Sequence, residues 1–184
     1  MKWYFLFVVA FLPSMALASG GAWQVEGAES SIKFSVAIEG SLTEGNFPKF
    51  EAKIQFDKEK LDQAKVEITI DLNHIEAFYG DVAANLKKKD WFDAAQFPKA
   101  RFVSTAFKHL DGDKYQVAGN LSLRDVTRAE TLYFTLVQYD QKQAAIKGKM
   151  VINRLNYGVG QGAWRDLSSV AGQVFLNVVI KATR

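Results

Sequence analysis

At 184 residues, 48% hydrophobic and 23% charged, with a formal charge of +3, the chain is too apolar for disorder and suits one domain with a sizeable core. Its small basic excess, not interleaved with aromatics, excludes a nucleic-acid stripe. The lack of cysteine excludes a disulfide framework, Cys-ligated metal and thiol catalysis, and the two histidines form no HExxH or paired-His spacing.

The chain opens on a three-part pattern. Lys2 is the charged start, Trp3 to Leu12 is apolar, Pro13 and Ser14 break the run, and Ala16-Leu17-Ala18 offers a small-residue exit before Ser19. This is the form of a secretory signal. The apolar run of about ten residues falls short of the roughly 20 that span a bilayer. The expectation is a cleaved signal over 1–18 and a mature domain over 19–184 that works outside the cytoplasm.

Period-two alternation dominates the rest of the chain. Ile32, Phe34, Val36 and Ile38 share one face of a strand, and Gly40 and Gly45 bracket a turn. Ala52, Ile54 and Phe56 alternate next, then Val66 to Leu72. Asp81 can cap a short helix near 81–89, with Val82 and Leu86 four apart on one face. A loop runs on to Phe97-Pro98. Ala100 to Leu110 is β-rich, Asp111-Gly112-Asp113 signals a hairpin, and Lys114 to Arg124 alternates again. Asp125 to Ala129 reads as a turn, Glu130 to Tyr139 and Ala144 to Arg154 as strands, and 158–162 as a glycine-rich loop. Val174, Leu176, Val178 and Ile180 are in step on the last strand. Roughly eight strands and one short helix predict an all-β antiparallel sandwich or barrel.

The aromatic positions Phe34, Phe47, Phe50, Phe56, Phe102, Phe107, Tyr115, Tyr133, Phe134 and Phe175 form the main chemical signal. In a barrel they either fill the interior or line a site for one small ligand. Composition alone favours the filled core. The carboxylates Asp57, Asp81, Asp90 and Asp93 show no spacing that makes an acid–base pair. No Gly-x-Ser-x-Gly elbow or phosphate loop is present, so no catalytic residue is assigned. Arg154 or Arg165 at a barrel mouth could hold an anionic head group, or pair with Asp166 or another acid. Lys87-Lys88-Lys89 reads as a solvated helix face, with membrane contact the minority reading.

The chain resembles the YceI-like family of lipid- and polyisoprenoid-binding proteins. The resemblance is carried by Ser31 to Val36, Gly45 to Phe50, Ile54 to Asp57, Tyr115 to Thr127 and Asn153 to Gly160. Its most specific part is Leu86-Lys87-Lys88-Lys89-Asp90-Trp91-Phe92-Asp93 with Phe97 to Phe102. It spans about Trp23 to Arg184. It implies an eight-stranded, lipocalin-like antiparallel barrel with an internal apolar cavity, and turns the aromatic face from a filled core into a ligand site.

The resulting expectation is a periplasmic carrier, without catalytic residues, metal or cofactor, that sequesters a long-chain isoprenoid or fatty-acid-like amphiphilic lipid. The expected cavity wall is Phe34, Val36, Phe56, Ile68, Ile70, Phe102, Val117, Leu121, Phe134, Leu136, Ile152 and Val178. Trp91 and Phe92 close one end, and Arg154 and Arg165 are the head-group candidates. Partners would be the lipid, a transient membrane contact and a possible second copy. The alternative is a non-enzymatic accessory module of a membrane redox or stress system, with Trp164 or Lys87–Lys89 as the contact surface. An outer-membrane barrel is disfavoured by outward Lys33, Lys53, Glu67, Lys147 and Lys149.

Overall fold

Long alternating strands with one apolar face roll up so that this face is enclosed. In the computed structural model, which describes residues 22–184, the chain forms a closed antiparallel barrel of eight staves with one short helix. The expected signal segment, 1–18, lies outside the described residues.

Five staves are single strands: β7 (Lys99–Asp111), β8 (Lys114–Leu123), β9 (Val126–Tyr139), β10 (Gln143–Asn153) and β11 (Gln173–Thr183). From β7 to β10 they run as a meander, each pairing with the next, and β10 pairs with β11. The other three staves are interrupted. β1 (Ala22–Val25) and β2 (Ser31–Ile38) lie along the same edge of β11, separated by a turn over Gly27–Glu29. β3 (Ser41–Asn46) and β4 (Phe50–Gln55) are parted at Phe47-Pro48-Lys49, where proline has no N–H to give a ladder. β5 (Lys65–Asp71) and β6 (Glu76–Ala77) are parted by a turn in which the Asp71 carboxylate accepts from the Asn73 amide at 3.0 Å. β1 closes the ring. It pairs with β11 through Gln24 and Val25, and with β4 through Ala22 and Trp23.

Several expected bounds shift. Ser41 to Asn46, read as part of a turn, is a strand, because the reversal is completed within Glu39-Gly40, both at positive φ. That is the two-residue hairpin geometry matched to strand twist. β9 begins at Val126 rather than Glu130, since Thr127 to Ala129 pair with β8 although their side chains are polar or small. Helix α1 (Gly80–Leu86) is shorter than expected. Its N-cap is Tyr79, without a side-chain cap, and Asp81 sits in the first turn. Tyr133 and Phe175 do not join the core. They are 56% and 44% exposed, because Phe134 and Leu176 take the inward phase on their strands.

Candidate functional site

Inward positions on every stave enclose an apolar interior in two chambers. The lower, of about 140 Å³, is lined only by apolar side chains, among them Trp23, Phe56, Phe102, Phe134 and Ile180. The upper, of about 270 Å³, is bordered by Phe34, Phe47, Trp91, Phe92 and Trp164, and by the polar side chains of Thr43, Asp81, Asn85 and Arg154. Ile32, Ile70, Leu121 and Leu176, one each from β2, β5, β8 and β11, belong to both walls and form a waist. Together the chambers enter the roughly 300–1,000 Å³ range of ligand sites.

The structure places each expected wall residue against this space. Phe34, Val36, Trp91, Phe92 and Ile152 line the upper chamber. Phe56, Ile68, Phe102, Val117, Phe134, Leu136 and Val178 line the lower, and Ile70 and Leu121 line both. Period-two phase finds the strand positions among these, whereas Trp91 and Phe92 lie in the turns after α1, where no alternation marks them. It also marks Ile32 and Leu176, which the expected set omitted. Trp23 had no such signal, because it stands on a four-residue strand before the first clear alternation.

Two inward glycines keep the chambers open. At Gly45 an added Cβ would lie 2.1 Å from the Phe34 ring, and at Gly119 2.4 Å from the Phe102 ring. Each ring therefore lies flat on the wall where a side chain would stand. A larger residue would drive it toward the lumen.

The lower end is closed by aromatics. Phe56 meets Phe107, Tyr115, Phe134 and Tyr139 with ring centroids 5.8–6.2 Å apart. Trp23 packs on Tyr139 and donates its indole N–H to the Phe56 carbonyl at 2.9 Å. The Arg184 guanidinium covers the outer part of this floor, 4.3 Å from the Trp23 ring centroid.

The upper end is closed by loops held through backbone carbonyls. Arg154 is only 2% exposed. Its Nε donates to Ala171, one terminal nitrogen to Val159 and Gly160, and the other to Trp164 and Val170, at 2.6–3.2 Å. All five guanidinium donors are thus engaged, and burial lowers its pKa from the usual arginine value. Gly160, at φ +79°, is required here, since a Cβ would lie 2.0 Å from an Arg154 nitrogen. Arg124 ties the carbonyls of Trp91 and Gly158 together, and the Asp90 carbonyl accepts from the Gly160 and Gln161 amides at 2.8 and 2.7 Å. Trp91 packs on Trp164, with Arg154 over its ring.

This corrects the reading of the arginines. Arg154 neither offers a free N–H to a head group nor pairs with an acid among the described residues. It organises the loop over 154–171. Arg165 is exposed, and Asp166 accepts instead from the Ser168 amide and hydroxyl. Tyr157, fully buried, donates to Glu130 at 2.6 Å. Burial and that carboxylate raise its pKa above the usual phenol value.

A family model described as the YceI-like domain matches residues 23–182. The chain belongs to the YceI-like family. It is 28% identical over 179 residues to a UPF0312 protein of Shewanella denitrificans, covering 94% of this chain and 92% of that one. The YceI-like barrel superposes on the crystal structure of BcnA from Burkholderia cenocepacia with a TM-score of 0.83 and 32% identity, over 87% of this chain and 100% of that one. A polyisoprenoid binding domain from Saccharophagus degradans shares the fold, with a TM-score of 0.69 at 15% identity over 89% of this chain and 98% of that one.

Proposed function

We propose that this protein binds and carries an amphiphilic lipid, with the apolar tail inside the barrel and the head at the upper end. The observation that carries the reading is the pair of apolar chambers joined at one waist, the lower without a polar side chain on its wall. Burying a hydrocarbon tail there yields about 0.8 kcal/mol per CH₂, so retention needs neither bond-making nor nucleotide energy. The solved relative described as polyisoprenoid binding supports the ligand class. The head would meet the Asp81 carboxylate and the Asn85 side-chain nitrogen, since the Asn85 oxygen accepts from Lys88 and the Arg154 donors are consumed. The pattern over residues 1–18 supports export, and we place the carrier in the periplasm.

At the upper rim Phe78 is 81% exposed, packs edge-on against Tyr79, and donates its amide to Glu44 on β3, the strand that also carries exposed Leu42. This exposed apolar group favours a transient membrane contact during loading. The test is extraction of protein purified from its native cells with organic solvent, with mass spectrometry of the extract. One recurring lipid class at near-stoichiometric yield is expected. Protein that repeatedly yields no lipid, and takes up none afterwards, would overturn the reading.

A further inference from the structure

The outer wall of the barrel is charged unevenly. Five neighbouring strands, β8, β9, β10, β11 and β2, hold a single carboxylate between them, Glu130. Glu130 stands in the same phase as inward Leu132 and Phe134, and it accepts from Tyr157. The outward face of these strands is therefore free of acid. Lysine is not excluded with it. Lys33, Lys114, Lys147 and Lys149 are exposed on this face, and none is ion-paired among the described residues.

The ladder register sets their spacing. Tyr133, Lys149, Asn177 and Lys33 stand opposite one another across β9, β10, β11 and β2. Lys114, Thr135, Lys147 and Val179 form the next row. Neighbours in a row are about 5 Å apart, and the rows about 7 Å apart. Four ammonium groups thus share one face with exposed Tyr133, Val151 and Phe175. Lys114, Lys147, Lys149 and Asn177 also border a shallow groove beside Tyr133. The opposite wall differs. There β4 sets Lys53 against Glu67 on β5, and Glu67 also pairs with Arg101, so charges cancel locally.

This chemistry selects a partner. Protein interfaces favour arginine and are depleted in lysine. The one arginine in the five strands, Arg128, is in the inward phase and donates to the Asn156 carbonyl. A second copy on this face would set the same lysines against each other. Lysine is a flexible, strongly hydrated point charge, suited to the diffuse negative potential of an anionic lipid surface. Tyrosine settles at head-group level.

We infer that this wall is a docking face for an anionic bilayer surface. The barrel rests on its side through Lys33, Lys114, Lys147 and Lys149, with Tyr133 among the head groups. The face is separate from the apolar rim at Phe78, and it does not depend on what the interior holds.

The test is sedimentation of protein purified from its native cells with two kinds of vesicle. One is phosphatidylcholine alone, and the other is phosphatidylcholine and phosphatidylglycerol in equal parts. Binding to the anionic vesicles is expected to be stronger by at least about tenfold. The preference should fade as salt shortens the Debye length from about 10 Å at 0.1 M to about 3 Å at 1 M. Lys147→Gln with Lys149→Gln is expected to weaken anionic binding about 25-fold, about fivefold per lysine. Lys53→Gln with Lys65→Gln, across the barrel, removes the same charge and should change binding less than about twofold. Phe78→Ser should weaken both kinds of vesicle alike. All these positions are exposed, and cooperative thermal unfolding checks that each variant is folded.

No preference for anionic vesicles, or an equal loss from both lysine pairs, would overturn the docking face. So would vesicle binding unmoved by the Lys147 and Lys149 variant while a photo-crosslinker in place of Tyr133 traps one protein in intact cells and loses it in that variant. The wall would then fit an acidic protein. Lipid extracted from the interior is not read in this test, so its failure leaves the carrier proposal standing.

Discussion

The two ends of the barrel are closed by different physics. At the floor, Phe56 and its aromatic neighbours pack ring to ring, and one indole N–H fixes Trp23 in place. At the top, two arginines hold loops by their backbone carbonyls. Aromatic packing excludes water and has no substitute partner when broken. Carbonyls released from an arginine can turn to water, so the net loss on opening is far smaller than the bonds in isolation suggest. Under the lipid-binding proposal, this contrast makes the floor a stop and the top the door.

The sharpest way to break this contrast is Phe56→Ala. Loss of the central ring is expected to cost about 3–5 kcal/mol in urea unfolding. A cost under about 1 kcal/mol would leave the floor no stiffer than the loops. Next is Arg154→Met, expected to cost about 2–3 kcal/mol through the lost charge-assisted hydrogen bonds. Its signature is local. Hydrogen exchange should quicken across 158–171 while amides near Trp23 and Phe56 keep their protection. Arg154→Lys should not restore it, because an ammonium cannot reach the same fork of acceptors.

Gly45→Ala and Gly119→Ala separate the chambers from one another. Each is expected to cost about 1–3 kcal/mol by overpacking, the first displacing Phe34 into the upper chamber and the second Phe102 into the lower. Gly119→Ala should therefore weaken long tails more than short ones, whereas Gly45→Ala should weaken both. Equal effects on all chain lengths from both variants would argue against two chambers in series.

The smallest expected effect is at Tyr157. Its phenol is held protonated by burial and by Glu130. The stability this contributes is full below the ordinary phenol pKa of about 10 and is lost as pH rises through the raised folded value. Tyr157→Phe is expected to cost about 1 kcal/mol at neutral pH and to flatten part of the alkaline loss. Tyr115 at the floor is also raised by burial, so the rest of that loss should persist in the variant. An unchanged alkaline profile would detach Tyr157 from the upper end's stability.

The same division decides how much of the molecule is legible in its sequence. The shaft is written in alternation, so Phe34, Phe56, Ile70, Leu121 and Val178 can be assigned to one face by phase alone. The door is not. Arg154 binds carbonyls contributed by residues as far along the chain as Ala171, and a carbonyl leaves no mark in the side-chain sequence. For the same reason an acidic partner for it was an expectation that the fold replaced with backbone. Trp23 escaped because its short strand gains its place only by closing the ring between β11 and β4. Ser41 to Asn46 escaped because Gly45 reads as a turn residue, although its purpose is to make room for Phe34.

The most direct test of the account is a crystal structure with palmitic acid brominated at its terminal carbon. A tail that enters at the top and threads the waist puts the bromine in the lower chamber, and its anomalous peak should lie among Phe56, Phe134 and Ile180. A peak above the waist beside Trp91, or on the outer face of the barrel, would contradict it.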